Sequence, residues 1–557
     1  MNSLLKKWTS KVSQHSLLLA LSTLLPTLGV SHHAMAAERV FTSYSGLELS
    51  ISVASLETYA KTGTVNEELA VYQQYLPAKQ FQELRQILSN PIKVSPAMLS
   101  QFLHTSQGEF LLRRLGEVIQ SRTTQVKPDL KTLRSALVSA ANEPEGLTLL
   151  NILRKYPTNG VYINLPQSLA IANELEQIVN KTQQAIALVT NKSNQEAANI
   201  YNSKGLTQLA DLSNPGKITS QKYTLRLFDS TRNRLLLTDV YLPQTKQNAP
   251  VIVISHGLGS NSSNFEYLAT HLASYGLAVV VPNHPTENTK QQQDIISAAE
   301  FQNRPLDIKY VLNQLEVKNQ SDVEFKGKLN LQQVGVFGQS LGGYTALALA
   351  GAKINFEQLQ RDCQPGKLKK TWNLSLLVQC RALEMKNKSL PDSLQDKRVK
   401  AAIAVNPITS SIFGKAGMNQ VKVPVMLISS SEDTIAPALY EQILPFSWLA
   451  NSQKYLAILV GGTHFTTIGN SNPSSQQIPL PPELVGDAAQ ARRYINTLSL
   501  PFFQNYVANN VQYNPYLSAA YAKTISRNSL GLRIVQSLSF TELAQSLGSE
   551  SNNIPPR

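Results

Sequence analysis

The sequence predicts an α/β protein: a doubly wound, mostly parallel sheet over 217–545, preceded by a mainly helical domain over 37–200. Three observations carry this reading. Short, solidly apolar runs at 251–255, 278–281, 334–337, 401–405, 425–429 and 456–460 have the length and composition of parallel strands buried on both faces. Helical patterns at 265–275 and 291–315 separate the first of these runs, and strands alternating with helices imply a doubly wound sheet. The region before 190 instead carries apolar residues at helical spacing.

Residues 1–36 read as a secretory signal peptide. Lys6, Lys7 and Lys11 form a basic start, 16–30 is apolar, and Ala34-Met35-Ala36 gives the small-residue cleavage pattern. The apolar run contains Pro26 and falls short of the ~20 residues that a membrane span needs. Next, 47–53 reads as a strand. The stretch 67–88 places Leu69, Tyr72, Tyr75, Leu76, Phe81, Leu84 and Leu88 at helical spacing. Ser95-Pro96 is an N-cap followed by proline at the first helical position, opening a helix over 97–119. Further helices are predicted over 130–141, 147–155 and 169–188.

The pattern changes near Gln221. Stretches 223–228 and 235–241 read as strands around the polar turn 229–234. A polar insertion over 353–397 holds Trp372 and both cysteines, and either roofs the substrate pocket or forms a surface excursion. Cys363 and Cys380 are a disulfide pair outside the cytoplasm or two buried thiols. The stretch from 488 to 507 and onward is helical, and the tail 546–557 reads as disordered.

A chain of 557 residues exceeds one compact core, so two domains are expected. The formal charge of +14 has no matching nucleic-acid motif and no basic stripe interleaved with aromatics. Scattered lysines such as Lys367, Lys369, Lys370, Lys386 and Lys388 describe a solvated surface, with weak attraction to anionic membranes as the lesser alternative. There is no His-Glu-x-x-His and no paired Cys-x-x-Cys, so no metal is expected and no cofactor is needed.

Gly338-Gln339-Ser340-Leu341-Gly342 lies between an apolar run and a helix-forming run. A serine in a sharp strand-to-helix turn is the nucleophile elbow of the α/β-hydrolase fold. Its flanking glycines let strand and helix pack closely, and the helix aims its positive end at the serine. The triad order serine, acid, histidine then makes a sharp test. Of eight histidines, His15, His32 and His33 lie in the signal segment, and His104, His256, His271 and His284 precede Ser340. Only His464 follows, on a loop after an apolar strand, where a general base belongs. For the acid, Glu357, Asp362, Glu384, Asp392 and Asp396 lie in or beside the insertion. Asp433 follows the strand at 425–429, at the edge where open-sheet sites form, with Glu432 as its rival. The oxyanion donors are expected to be Leu341 N–H and Leu258 N–H, the latter freed by Gly257 and Gly259. His256 reads as structural, holding that loop.

Ser-His-Gly-Leu-Gly at 255–259 and Gly-Gln-Ser-Leu-Gly-Gly at 338–343 resemble the bacterial platelet-activating-factor acetylhydrolase-like and dienelactone-hydrolase-like α/β-hydrolases. Arg304-Pro305-Leu306-Asp307 is also similar to that group, and the likeness covers 217–465. It implies calcium-independent cleavage of short or oxidised acyl chains from phospholipid. Dienelactone hydrolases use a cysteine where this chain has Ser340. Plasma-type acetylhydrolases carry their acid after an earlier strand, near Asn406 here, where no carboxylate stands. The N-terminal half resembles a domain of unknown function found ahead of such hydrolases.

The sequence therefore predicts an exported serine esterase, periplasmic or secreted, acting on a small-molecule ester or lipid substrate, with no nucleic-acid partner. The rival readings are a peptidase or a polyester depolymerase on the same fold, or a non-enzymatic binding protein.

Overall fold

The computed structural model describes residues 37–548 apart from 45–46, 74–77, 93, 105, 122–128, 200–208, 286–295, 386–393 and 470–484. The signal segment and the last residues of the tail lie outside the described residues. The chain divides into two compact units, 1–180 with 291–295, and 181–290 with 296–557, so the boundary falls inside the helix Leu165–Asn199.

In the first unit, helices are joined by a four-stranded sheet in the order β2-β1-β4-β3. The strands are β1 (Arg39–Tyr44), β2 (Leu47–Ser52), β3 (Ile119–Ser121) and β4 (Gly160–Ile163). Only β2 is visible in the sequence pattern. β3 and β4 are three and four residues long, too short for alternation to show, and their pairings with β4 and β1 join chain far apart in sequence. The expected helix over 97–119 is two helices, Pro96–Leu103 and Ser106–Gly116, followed by β3. The helix Leu130–Ala141 lies where its periodicity places it and buries Leu133, Ala136 and Leu137 with Leu56, Tyr59 and Tyr156.

In the second unit, nine strands form one sheet in the order β13-β12-β11-β10-β9-β7-β8-β6-β5. The hairpin β5 (Ser220–Asp229) and β6 (Arg234–Pro243) is antiparallel. Strands β7 (Ala249–Ser255), β8 (Ala278–Pro282), β9 (Leu329–Gln339), β10 (Val399–Val405), β11 (Val425–Ser430) and β12 (Lys454–Val460) run parallel to one another. The final strand β13 (Gly531–Val535) is antiparallel to β12 and lies in a region read from sequence as helical. Its Ile534 N–H is accepted by Ser193 Oγ, so distant chain completes it. The middle strands are fully buried, which is why they are apolar without alternation. This is the α/β-hydrolase sheet.

The expected helix over 291–315 is described from Glu300 to Ser321. The insertion is not a featureless excursion. It contains the helices Phe356–Asp362, Pro365–Leu368 and Leu374–Cys380, and Cys363 and Cys380 are joined in a disulfide with Cα atoms 5.6 Å apart. No described helix is long and apolar enough to cross a membrane.

Candidate active site

The carboxyl ends of β7, β9, β10, β11 and β12 share one edge of the sheet, and the loops leaving them converge there. Ser340 forms the single residue between β9 and the helix Leu341–Leu349, with φ +56° and ψ −118°, a strained conformation for a non-glycine residue. Its N–H is tied to the Val405 carbonyl (2.9 Å), so the turn is fixed to the neighbouring strand. The glycines follow from packing. A Cβ on Gly338 would lie 1.9 Å from the Gly342 carbonyl oxygen, and one on Gly342 would lie 1.9 Å from the Ser255 carbonyl oxygen.

His464 Nε2 lies 3.0 Å from Ser340 Oγ, and His464 Nδ1 lies 2.6 Å from Asp433 Oδ2. The other oxygen of Asp433 accepts the N–H groups of Ile435 (2.8 Å) and Ala436 (2.7 Å). This fully buried carboxylate is held by backbone alone, leaving its charge for the imidazole. Glu432, the rival acid, donates its own N–H to the Gly462 carbonyl. The insertion carboxylates are engaged elsewhere: Glu357 and Glu384 with Arg361 and Arg381, Asp362 with Ser411, and Asp396 with Arg398. Asp392 lies outside the described residues.

The loop with Leu258 passes directly against the serine. A Cβ on Gly257 would lie 2.4 Å from Gln339 Oε1 and 3.3 Å from Ser340 Cβ, so a side chain there would displace the Gln339 amide and crowd the nucleophile; Gly259 follows at φ +69°. Leu341 opens the elbow helix, where first-turn amides have no partner within the helix.

Three supports were not legible as such. Asn406, fully buried at φ +43°, donates from Nδ2 to Ser430 Oγ and to the Thr463 and His464 carbonyls, and accepts the Ser430 N–H. Gln339 Nε2 reaches the same His464 carbonyl (3.2 Å). Glu441, fully buried, accepts from Asn373, Gln379, the Thr409 and Ser410 N–H groups and Ser410 Oγ. With Ser375 N–H donating to the Ile435 carbonyl (2.8 Å), these contacts join the disulfide-stapled insertion to the Asp433 loop. The insertion therefore braces the acid loop. A single buried Asn, Gln or Glu gives no periodic signal by which to find it.

A second serine–histidine–aspartate chain lies close by. His284 Nε2 is 3.0 Å from Ser255 Oγ, and its Nδ1 is 2.9 Å from Asp307 Oδ2. Ser255 ends a regular strand and is fully buried, and Asp307 also binds Arg232 and Arg234 at 2.7–2.9 Å. Burial alone would raise the Asp307 carboxyl, but the His284 hydrogen bond and Arg234 outweigh it and hold it at about 2.

Two family models match separate parts of the chain. Residues 36–164 match one described as an alpha/beta hydrolase of unknown function (DUF1400), and residues 211–361 match chlorophyllase. Residues 211–361 are thus similar to chlorophyllase, where the motifs had suggested acetylhydrolase-like and dienelactone-hydrolase-like enzymes. A search of curated proteins found no match. The chain has the α/β-hydrolase fold and the Ser-His-Asp arrangement of a serine hydrolase, with an N-terminal region similar to DUF1400 and a catalytic region similar to chlorophyllase.

Proposed function

We propose that the protein is an exported serine esterase that cleaves lipid-derived carboxylic esters at Ser340. The Ser340–His464–Asp433 chain, anchored at a left-handed strand-to-helix turn, carries this reading. His464 Nε2 accepts the Ser340 Oγ proton as the oxygen attacks the ester carbonyl. Leu258 and Leu341 N–H groups hold the resulting oxyanion, each worth about 3 kcal/mol in the transition state. The imidazolium, oriented by Asp433, protonates the leaving alcohol, and water then releases the acyl group by the same steps in reverse order. Ser255 has no such role in this scheme, because it ends a regular strand and is fully buried.

The lipid preference draws on the acetylhydrolase-like motifs and on the likeness to chlorophyllase, and export on the signal pattern of 1–36. A fluorophosphonate is expected to label the wild type and not Ser340→Ala; equal labelling of both ends the assignment. A panel of short- and long-chain esters, acetyl phospholipid and chlorophyll then ranks the substrates. Indifference to everything but acyl length would remove the lipid-specific reading and leave a general esterase.

A further inference from the structure

We infer that His256 is a positioning residue for the oxyanion hole, acting through the peptide plane between Gly257 and Leu258. The inference rests on the reading of Ser340 as nucleophile and Leu258 N–H as oxyanion donor.

The partners of His256 fix its tautomer without any choice of hydrogen positions. His256 Nε2 receives the backbone N–H of His284 (3.1 Å), so it is an acceptor and carries no proton. His256 Nδ1 faces the Gly257 carbonyl oxygen (2.8 Å), which can only accept, so Nδ1 carries the proton. The ring is neutral and protonated at Nδ1. Burial pushes its pKa well below the usual histidine value, and the neighbouring Arg304 and His284 add to this.

The carbonyl that the ring holds belongs to the peptide whose N–H is Leu258. A trans peptide is planar, with its C=O and N–H pointing in opposite directions. Drawing Gly257 O toward the imidazole therefore turns Leu258 N–H to the other side of the plane. A Cβ added to Gly257 would lie 3.3 Å from Ser340 Cβ, so that plane adjoins the nucleophile. Gly257 has no side chain to restrict the plane, which makes an external restraint necessary.

The restraint is itself held. Arg304 Nη1 donates to the His256 carbonyl (2.7 Å), and Arg304 is in turn paired with Glu300. Glu300 and Asp307 share Arg234, and Asp307 fixes His284, whose N–H fixes the His256 ring. The Ser255–His284–Asp307 chain is thereby given a role: it ends on the loop that carries the oxyanion donor.

A misaimed donor weakens the transition state and leaves ground-state binding intact, so kcat and KM separate the effect from general damage. In the full-length protein, His256→Phe is expected to lower kcat by about 10²-fold with KM within about twofold. His256→Asn places an amide N–H where Nδ1–H was and is expected to recover most of kcat. His256→Gln reaches only the Nε2 position and is expected to resemble the phenylalanine variant. Equal losses in all three variants, or an unchanged kcat in His256→Phe, overturn the proposal. Should the variants fail to fold, histidine-labelled wild type is measured by nitrogen NMR. A His256 signal protonated at Nε2, or at both nitrogens, at neutral pH overturns it as well. Leu258→Pro, which deletes the donor, tests the underlying reading separately: with wild-type Ser340 labelled by fluorophosphonate, an unchanged kcat in that variant removes the oxyanion assignment itself.

Discussion

Two chains of serine, histidine and aspartate lie near one edge of the same sheet, with nearly the same spacings and opposite fates. Ser340 meets His464 at 3.0 Å and Ser255 meets His284 at 3.0 Å. The difference lies at the two ends of each chain. Ser340 stands outside the strand at φ +56°, whereas Ser255 is a strand residue packed under Gly342. Asp433 is held by two backbone N–H groups, so its charge stays available to an imidazolium. Asp307 is neutralised by Arg232 and Arg234, and its charge is spent on holding the hairpin β5–β6 to the helix Glu300–Ser321. Hydrogen-bond geometry alone does not make a triad; a serine held outside its strand in a strained turn, and an acid held by backbone N–H groups rather than by arginines, do.

The sharpest way to break this comparison is to neutralise each acid. In Asp433→Asn the amide oxygen still accepts from Ile435 and Ala436, while the NH2 group forces His464 into the wrong tautomer. We expect kcat to fall by about 10⁴-fold with little change in unfolding midpoint. Asp307→Asn leaves the buried Arg234 undercompensated and is expected to cost about 3 kcal/mol of stability, with labelling of Ser340 retained in the folded fraction. Steady-state kinetics and denaturant unfolding on both variants check this. The reverse pattern would make Ser255 the working serine.

The catalytic chain was legible because the α/β-hydrolase order leaves only His464 after Ser340, and because Asp433 follows an apolar strand. The second chain was not. Ser255 and His284 are brought together by the pairing of β7 with β8, which sets Val251 beside Ala278, and Asp307 comes from the helix Glu300–Ser321. Likewise β13 and the short strands of the first unit owe their existence to partners far off in sequence, and local propensity carries little of that. Helix 130–141 was legible to the residue because its periodicity and the Asp129 cap agree.

Acid separates the two regions by a smaller amount. Burial lowers the pKa of His256, His284 and His271, the last to about 4. Below the unfolded value near 6.5 the unfolded chain binds protons that the folded one refuses, so stability falls as pH drops. Each such histidine contributes a slope of about 1.4 kcal/mol per pH unit between its folded value and ~6.5. Unfolding midpoints from pH 7 to 4.5 are expected to decline along this slope, and His271→Phe is expected to remove one histidine's share. A flat profile above pH 5 would mean these histidines take up protons in the fold as readily as in the unfolded chain.

The smallest effect tests what stands behind His464. His284 is backed by the sheet, but His464 sits on a loop whose carbonyls are held by Asn406 and Gln339. Asn406→Gly keeps the φ +43° backbone accessible and removes only the amide. We expect kcat to drop about tenfold, equivalent to ~1.4 kcal/mol in the barrier, with KM unchanged. Asn406→Ala should show the same kinetic loss plus about 1 kcal/mol of stability, because alanine is strained at that φ. If glycine restores full kcat while alanine does not, Asn406 serves the backbone turn, and the His464 loop is positioned by Gln339 and its own contacts instead.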